Sequence, residues 1–72
     1  MKTIDLHGVK HVDAYRIIEN ACSQYCTPIV IITGNSREMK SIVEATASLF
    51  NLRVRDYIGN TGRLVIDEAK GE

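Results

Sequence analysis

The run Ile29-Val30-Ile31-Ile32 is apolar at every position and stands between two segments whose apolar residues recur every three or four positions. So short a run, apolar throughout, suits a central strand covered on both faces, or one flanked by long side chains. The flanking periodicity is that of helices with one buried face. Ala14, Ile17, Ile18, Ala21, Cys22 and Tyr25 mark the first helix, expected from Val12 to Gln24. Met39, Ile42, Val43, Thr46, Leu49 and Phe50 mark the second, expected from Arg37 to Phe50. Asp13 lies in the first turn of the first helix, where a carboxylate favours the helix dipole. Thr27-Pro28 ends that helix, since the residue before proline avoids helical geometry. Asn35 or Ser36 caps the second; with Asn35 as cap, Glu38 follows at the spacing of a capping box.

Shorter alternating stretches fill the rest. Thr3 to His7 reads as the first strand, with Ile4 and Leu6 inward. In Leu52 to Ile58, the residues Leu52, Val54, Asp56 and Ile58 fall on one side and Arg53, Arg55 and Tyr57 on the other. Asp56 interrupts the apolar side, which places it near a strand end. Gly59-Asn60-Thr61-Gly62 is a turn, and Arg63 to Asp67 is the last strand. The element order is βαβαββ.

A chain of 72 residues has room for one domain and a thin core. The expectation is a single domain over residues 1–72: an α/β (α+β) two-layer sandwich with a four-stranded mixed sheet. Right-handed crossovers put both helices on one face, and the final hairpin makes strand four antiparallel to strand three. Residues 69–72 read as a frayed tail.

Nine basic and nine acidic side chains balance to zero. Bulk charge therefore gives no strong non-specific attraction to nucleic acid, and any basic patch must be local. No apolar run is long enough to span a membrane and no basic-then-apolar leader is visible. The expected partners exclude membranes, and the expected setting is cytoplasmic. Cys22 reads as a small apolar core residue and Cys26 as a free thiol near the helix end. No Cys/His cluster has metal-ligand spacing, so no metal site is read.

The chemistry gathers at the strand carboxyl ends, where ligands favour parallel βα units. If Ile4 and Leu6 face inward, Asp5 and His7 share the other side. A carboxylate beside an imidazole can do general acid–base work, orient a water or hold a phosphate; the plain alternative is two solvated residues at a strand edge. Thr33-Gly34-Asn35-Ser36 opens a helix, so its amides and dipole suit an anion, with Gly34 permitting close backbone approach. The alternative is a glycine turn with a cap. Arg53, Arg55 and Tyr57, joined by Arg63, fall on the sheet face without helices. They can contact phosphates and stack on a base, or simply keep that face soluble. His11 and Lys40 flank the same edge as weaker candidates.

Ile4-Asp5-Leu6-His7-Gly8 followed by Asp13-Ala14 resembles the opening of a Smr (small MutS-related) domain, typically Leu-Asp-Leu-His-Gly followed by Glu-Ala. Ile31-Ile32-Thr33-Gly34-Asn35-Ser36 is similar to the first half of the family's Thr-Gly-x-Gly loop. Met39-Lys40 with Val43 resembles its second helix, and Asn60-Thr61-Gly62-Arg63-Leu64-Val65-Ile66 its last turn and strand. The resemblance implies a βαβαββ sandwich like the C-terminal domain of a bacterial translation initiation factor. It also implies nucleic-acid binding, and in several members DNA nicking or RNA cleavage. It assigns Asp5 and His7 to a catalytic edge and Thr33 and Gly34 to the adjoining binding loop. Ser36 stands in place of the motif's second glycine, the loop is shorter, and the final hairpin is shorter than usual.

The leading expectation is a Smr-like module binding DNA or RNA, with endonuclease activity in its catalytic version. There His7 acts as general base or acid. Asp5 orients the imidazole or holds a water or metal ion, magnesium being the one cofactor this admits. The Gly34 to Ser36 amides neutralise phosphate charge. The rivals are a non-catalytic binding module and a protein-interaction domain, as monomer or weak homodimer.

Overall fold

A computed structural model describes residues 2–68; the tail expected at 69–72 lies outside the described residues. The elements run β1 (Lys2–Asp5), α1 (His11–Gln24), β2 (Ile29–Ile32), α2 (Arg37–Leu49), β3 (Leu52–Tyr57) and β4 (Asn60–Glu68). They form the expected α+β sandwich of one mixed four-stranded sheet, with the two helices packed together on one of its faces. Among the described residues, no helix is long and apolar enough to cross a membrane.

Each helix is shaped by local signals. Ser36 caps α2: its Oγ accepts from the Met39 N–H at 3.1 Å, so the cap is Ser36 and not Asn35. At the other end Phe50 is the C-cap and Asn51 takes a left-handed φ of 58°, a conformation that terminates helices and that asparagine tolerates. Helix α1 has no side-chain cap and stops at Gln24, before the Thr27-Pro28 pair. The Lys2 ammonium lies 4.6 Å from the Tyr25 ring centroid, linking the start of β1 to the end of α1.

Ala14, Ile18 and Ala21 of α1 and Met39, Ile42, Val43 and Ala47 of α2 close over Leu6, Ile29, Ile31, Leu64 and Ile66. Each fully buried isoleucine contributes roughly 1.5–3 kcal/mol of apolar transfer. The expected helical stripes run too far, the first by one residue and the second by two. Leu49 is 76% exposed, and Phe50 and Tyr25 are exposed as well. All three sit where their helix is ending and its face turns away from the sheet.

The strand order is β1-β2-β4-β3. β1 and β2 are parallel, with Ile4 opposite Ile31 and Asp5 opposite Ile32. β4 is antiparallel to both of its neighbours, β2 and β3. A sheet growing in one direction would set β3 beside β2; instead β4 lies between them and β3 forms the far edge. Two central strands result, and both are apolar at successive positions. Val30 (3% exposed) and Val65 (4%) are paired neighbours on the face that has no helices, buried there by flanking side chains.

The strand ends also differ from expectation. β1 ends at Asp5, so strand alternation does not extend to His7. β4 begins at Asn60, inside the expected turn, which leaves Ile58 and Gly59 as the hairpin tip. Ile58, expected on the apolar side of β3, is 91% exposed there.

Thr46 is 1% exposed and its Oγ1 has no hydrogen-bond partner. A buried hydroxyl without a partner costs about 1 kcal/mol or more. Thr46→Val, of like shape and helix propensity, is expected to raise stability by about 1 kcal/mol in urea unfolding; a lowered midpoint would contradict this account. Burial also pushes the Cys22 thiol up from its ordinary value of 9.0, while Cys26 is exposed. The thiolate is the nucleophile, so below that pH a raised value slows reaction. Titration with a disulfide reagent at pH 8 should label Cys26 rapidly and Cys22 only slowly until the chain unfolds. Equal rates would show Cys22 to be unprotected.

Candidate functional site

At the end of β1 the chain makes a tight turn, Leu6-His7-Gly8-Val9. The Val9 N–H donates to the Leu6 carbonyl at 3.0 Å, and Gly8, the third residue, has φ +76°. A type II turn needs a positive φ at that position, which glycine supplies without strain. Asp5 completes the turn: its Oδ1 accepts from the His7 backbone N–H at 2.8 Å. The bond joining Asp5 and His7 therefore runs from the peptide nitrogen, not from the imidazole. The His7 side chain is exposed and makes no hydrogen bond among the described residues.

The β2–α2 loop is bound into the fold more firmly than its sequence suggests. The β3–β4 register shifts between Asp56 and Tyr57: Asp56 pairs with Leu64 but Tyr57 with Asn60. Thr61, Gly62 and Arg63 have no counterpart on β3, and this extra length carries Gly62 onto the loop. The Gly62 carbonyl accepts the Thr33 N–H and the Gly34 N–H, each at 2.9 Å, and the Thr33 hydroxyl at 3.3 Å. Lys40 Nζ donates to the Thr61 carbonyl at 2.7 Å, and the Thr61 hydroxyl to Asn35 Oδ1 at 3.2 Å. A Cβ on Gly62 would meet Gly34 Cα at 3.4 Å, a measure of how closely the two backbones approach.

These contacts give the expected binding loop structural work. The Thr33 and Gly34 amides are directed at Gly62, Asn35 receives Thr61, and the Ser36 hydroxyl caps α2. Serine in place of a second loop glycine is thereby explained: a glycine would supply no capping oxygen. Lys40 is occupied by the Thr61 carbonyl.

The open sheet face carries the other set. Arg53 and Arg55 project from β3, and Arg63 from β4. The Arg63 guanidinium lies 5.5 Å from the Tyr57 ring centroid, in a cation–π arrangement. Arg55 Nη2 donates to Asp67 Oδ2 at 3.4 Å across the hairpin, with both groups part-exposed. Such a pair orients the guanidinium more than it stabilises the fold. Arg55, Tyr57, Ile58 and Val65 line an open hollow of about 290 Å³.

Asp5 and His7 are brought to one turn, and the loop residues to one latch beside the start of β4. The four residues Arg53, Arg55, Tyr57 and Arg63 share the open face with Asp5, but Asp5 stands on β1, at the opposite edge of the sheet from β3. Sequence reasoning missed Ile58, Val65 and Asp67 as neighbours of the arginines. Asp67 carried a signal, an opposite charge on the same side of the final hairpin as Arg53 and Arg55. Ile58 carried one in preceding a turn glycine. No group of three or more His, Cys, Asp or Glu is gathered among the described residues.

Asp5→Ala removes the acceptor for the His7 amide and is expected to cost about 1 kcal/mol. Asp5→Asn keeps an oxygen there and should retain most of the stability while removing the charge. Equal loss in both variants, in chemical denaturation, would mean that the charge and not the turn matters.

Compared with known proteins, the chain matches no protein-family model, no curated protein and no solved structure.

Proposed function

We propose that this chain is a Smr-like nucleic-acid-binding module that holds a strand on the open face of its sheet without cutting it. The observation that carries this reading is the grouping of three guanidiniums, Arg53, Arg55 and Arg63, with the Tyr57 ring on one uncovered face. On a chain of zero net charge, a local cluster of this kind is what a polyanion would find. Guanidiniums meet phosphates in bidentate geometry, and an aromatic ring offers a stacking surface to any base.

Cleavage is the weaker reading for physical reasons. The carboxylate that should orient the imidazole is engaged by a backbone amide. Of the Gly34 to Ser36 amides that should face a phosphate, that of Gly34 is directed at the Gly62 carbonyl, beside that of Thr33. The proposed module works as a monomer in the cytoplasm, with DNA or RNA as ligand.

The test is fluorescence anisotropy with labelled single-stranded DNA and RNA over a salt series, beside cleavage gels. Affinity is expected to fall with salt. Arg53→Ala should reduce the log–log slope by about 0.7, one single-strand phosphate, and leave the fold intact. The gels should show no product that depends on His7. Products that vanish in a folded His7→Ala variant would replace this reading with an endonuclease. Salt-insensitive or absent binding would leave the protein-interaction class.

A further inference from the structure

We propose that the hollow between Arg55, Tyr57, Ile58 and Val65 takes one unstacked nucleobase, so that the chain selects single strands over duplex. This rests on the nucleic-acid reading above and specifies how that face would recognise its ligand.

Four observations carry it. The first is size. At about 290 Å³ the hollow lies at the small end of the roughly 300–1,000 Å³ range of ligand pockets. It suits one ring system rather than a run of stacked bases.

The second is its lining. Tyr57 contributes an aromatic ring and Ile58 aliphatic surface, over a floor at the nearly buried Val65. Arg55 contributes the only charged group and can only donate hydrogen bonds. A flat heteroaromatic ring with acceptors on its edge matches both parts of that lining. An aliphatic ligand would leave the guanidinium unmatched, and a bare phosphate would leave the apolar walls unused.

The third is order. Both polar walls are held in place before any ligand arrives. Asp67 holds Arg55 at 3.4 Å, and Arg63 lies over Tyr57 at 5.5 Å. Walls already oriented lose less freedom on binding.

The fourth is Ile58, 91% exposed at the hairpin tip. Nothing in the packing of the chain uses this side chain, yet it borders the hollow. A base seated there would remove its apolar surface from water.

Charge complements the hollow on both sides. Arg53 stands two residues from Arg55 along β3, about 6.6 Å on the same face, and Arg63 stands on β4. Phosphates on either side of a seated base would meet these guanidiniums. A base paired and stacked inside a duplex does not present its faces, so the same contacts are closed to it.

The experiment compares a fluorescein-labelled single strand of oligo(dT), a strand of equal length built from abasic sites, and a blunt duplex. Each is titrated with the full chain. The base-bearing strand is expected to bind about 5- to 100-fold more tightly than the abasic strand, the range reported for one base–aromatic stack. The duplex should bind no better than the abasic strand.

Ile58→Ser, at a position outside the core, and Tyr57→Leu should each shrink the gap between base-bearing and abasic strands. Tyr57→Phe should keep it. Slow labelling of Cys22 in each variant would report an intact fold. If base-bearing and abasic strands bind equally, the hollow is no base site, although the nucleic-acid reading stands. A gap that persists undiminished in Ile58→Ser and Tyr57→Leu would place base recognition elsewhere and overturn the proposal. If no strand binds, both readings fall.

Discussion

One carbonyl oxygen organises the functional edge of this molecule. The Gly62 oxygen accepts two backbone N–H groups and the Thr33 hydroxyl, joining the start of β4 to the loop between β2 and α2. β4 is already paired with β2 from Ile29–Ile66 to Ile32–Arg63; the latch continues that connection past the end of β2. With Lys40 and Asn35 gripping Thr61, the start of β4 is tied to the loop and to α2 as well as to the sheet. The register shift after Asp56 is the other half of this arrangement, because it supplies the extra residues that reach the loop. The setting of Tyr57, Ile58 and Arg63 therefore follows from contacts made on the far side of β4.

The strand order has a second consequence. Inserting β4 between β2 and β3 makes two central strands in a sheet with helices on only one face. Val30 and Val65 then need cover that no helix supplies. Arg55 stands opposite Val65 on that face and lines one hollow with it; a long side chain of this kind can lay its aliphatic stem on apolar surface while its charged end reaches water. Truncating it removes that stem as well as the charge, so stability and binding have to be read separately at this position.

Much of this was legible in the sequence, and the misreadings have identifiable causes. The helices and the two-layer sandwich follow from periods of three and four, which depend only on which face is buried. The strand order was open because pairing depends on the whole sheet. The apolar run Leu64-Val65-Ile66 did carry the information: like Ile29 to Ile32, it is apolar at consecutive positions, the mark of a strand covered on both faces. Extending strand alternation to His7 puts Asp5 and His7 on one strand face, whereas β1 ends at Asp5. A turn glycine at position 8 ends the alternation earlier, and an aspartate before such a turn can serve as its hydrogen-bond acceptor. The anion reading of the loop rests on its own residues. Its Thr33 and Gly34 amides are directed at Gly62, 28 residues beyond Gly34 in sequence, a long-range contact that no local pattern announces.

The distribution of charge across the open face bears on what a bound strand would touch. Asp5, Ile32 and Arg63 stand in one row across β1, β2 and β4. The two residues are therefore two strands apart, about 9.6 Å between backbones. That exceeds the screening length of about 8 Å at physiological ionic strength, so the two ends of the row are largely screened from one another. On the proposed reading, phosphates are drawn toward the β3–β4 side. Asp67 stands opposite Arg53 and accepts from Arg55, so these two guanidiniums share one carboxylate, and with Arg63 they leave a net positive path along the hairpin. A strand following that path passes the Asp5–His7 turn at a distance of two strands. Efficient cleavage needs the scissile phosphate within hydrogen-bond reach of the imidazole, and a strand held by the hairpin alone does not place it there. On the proposed reading, the electrostatics that would draw a polyanion to the hairpin thus separates binding from the His7 imidazole.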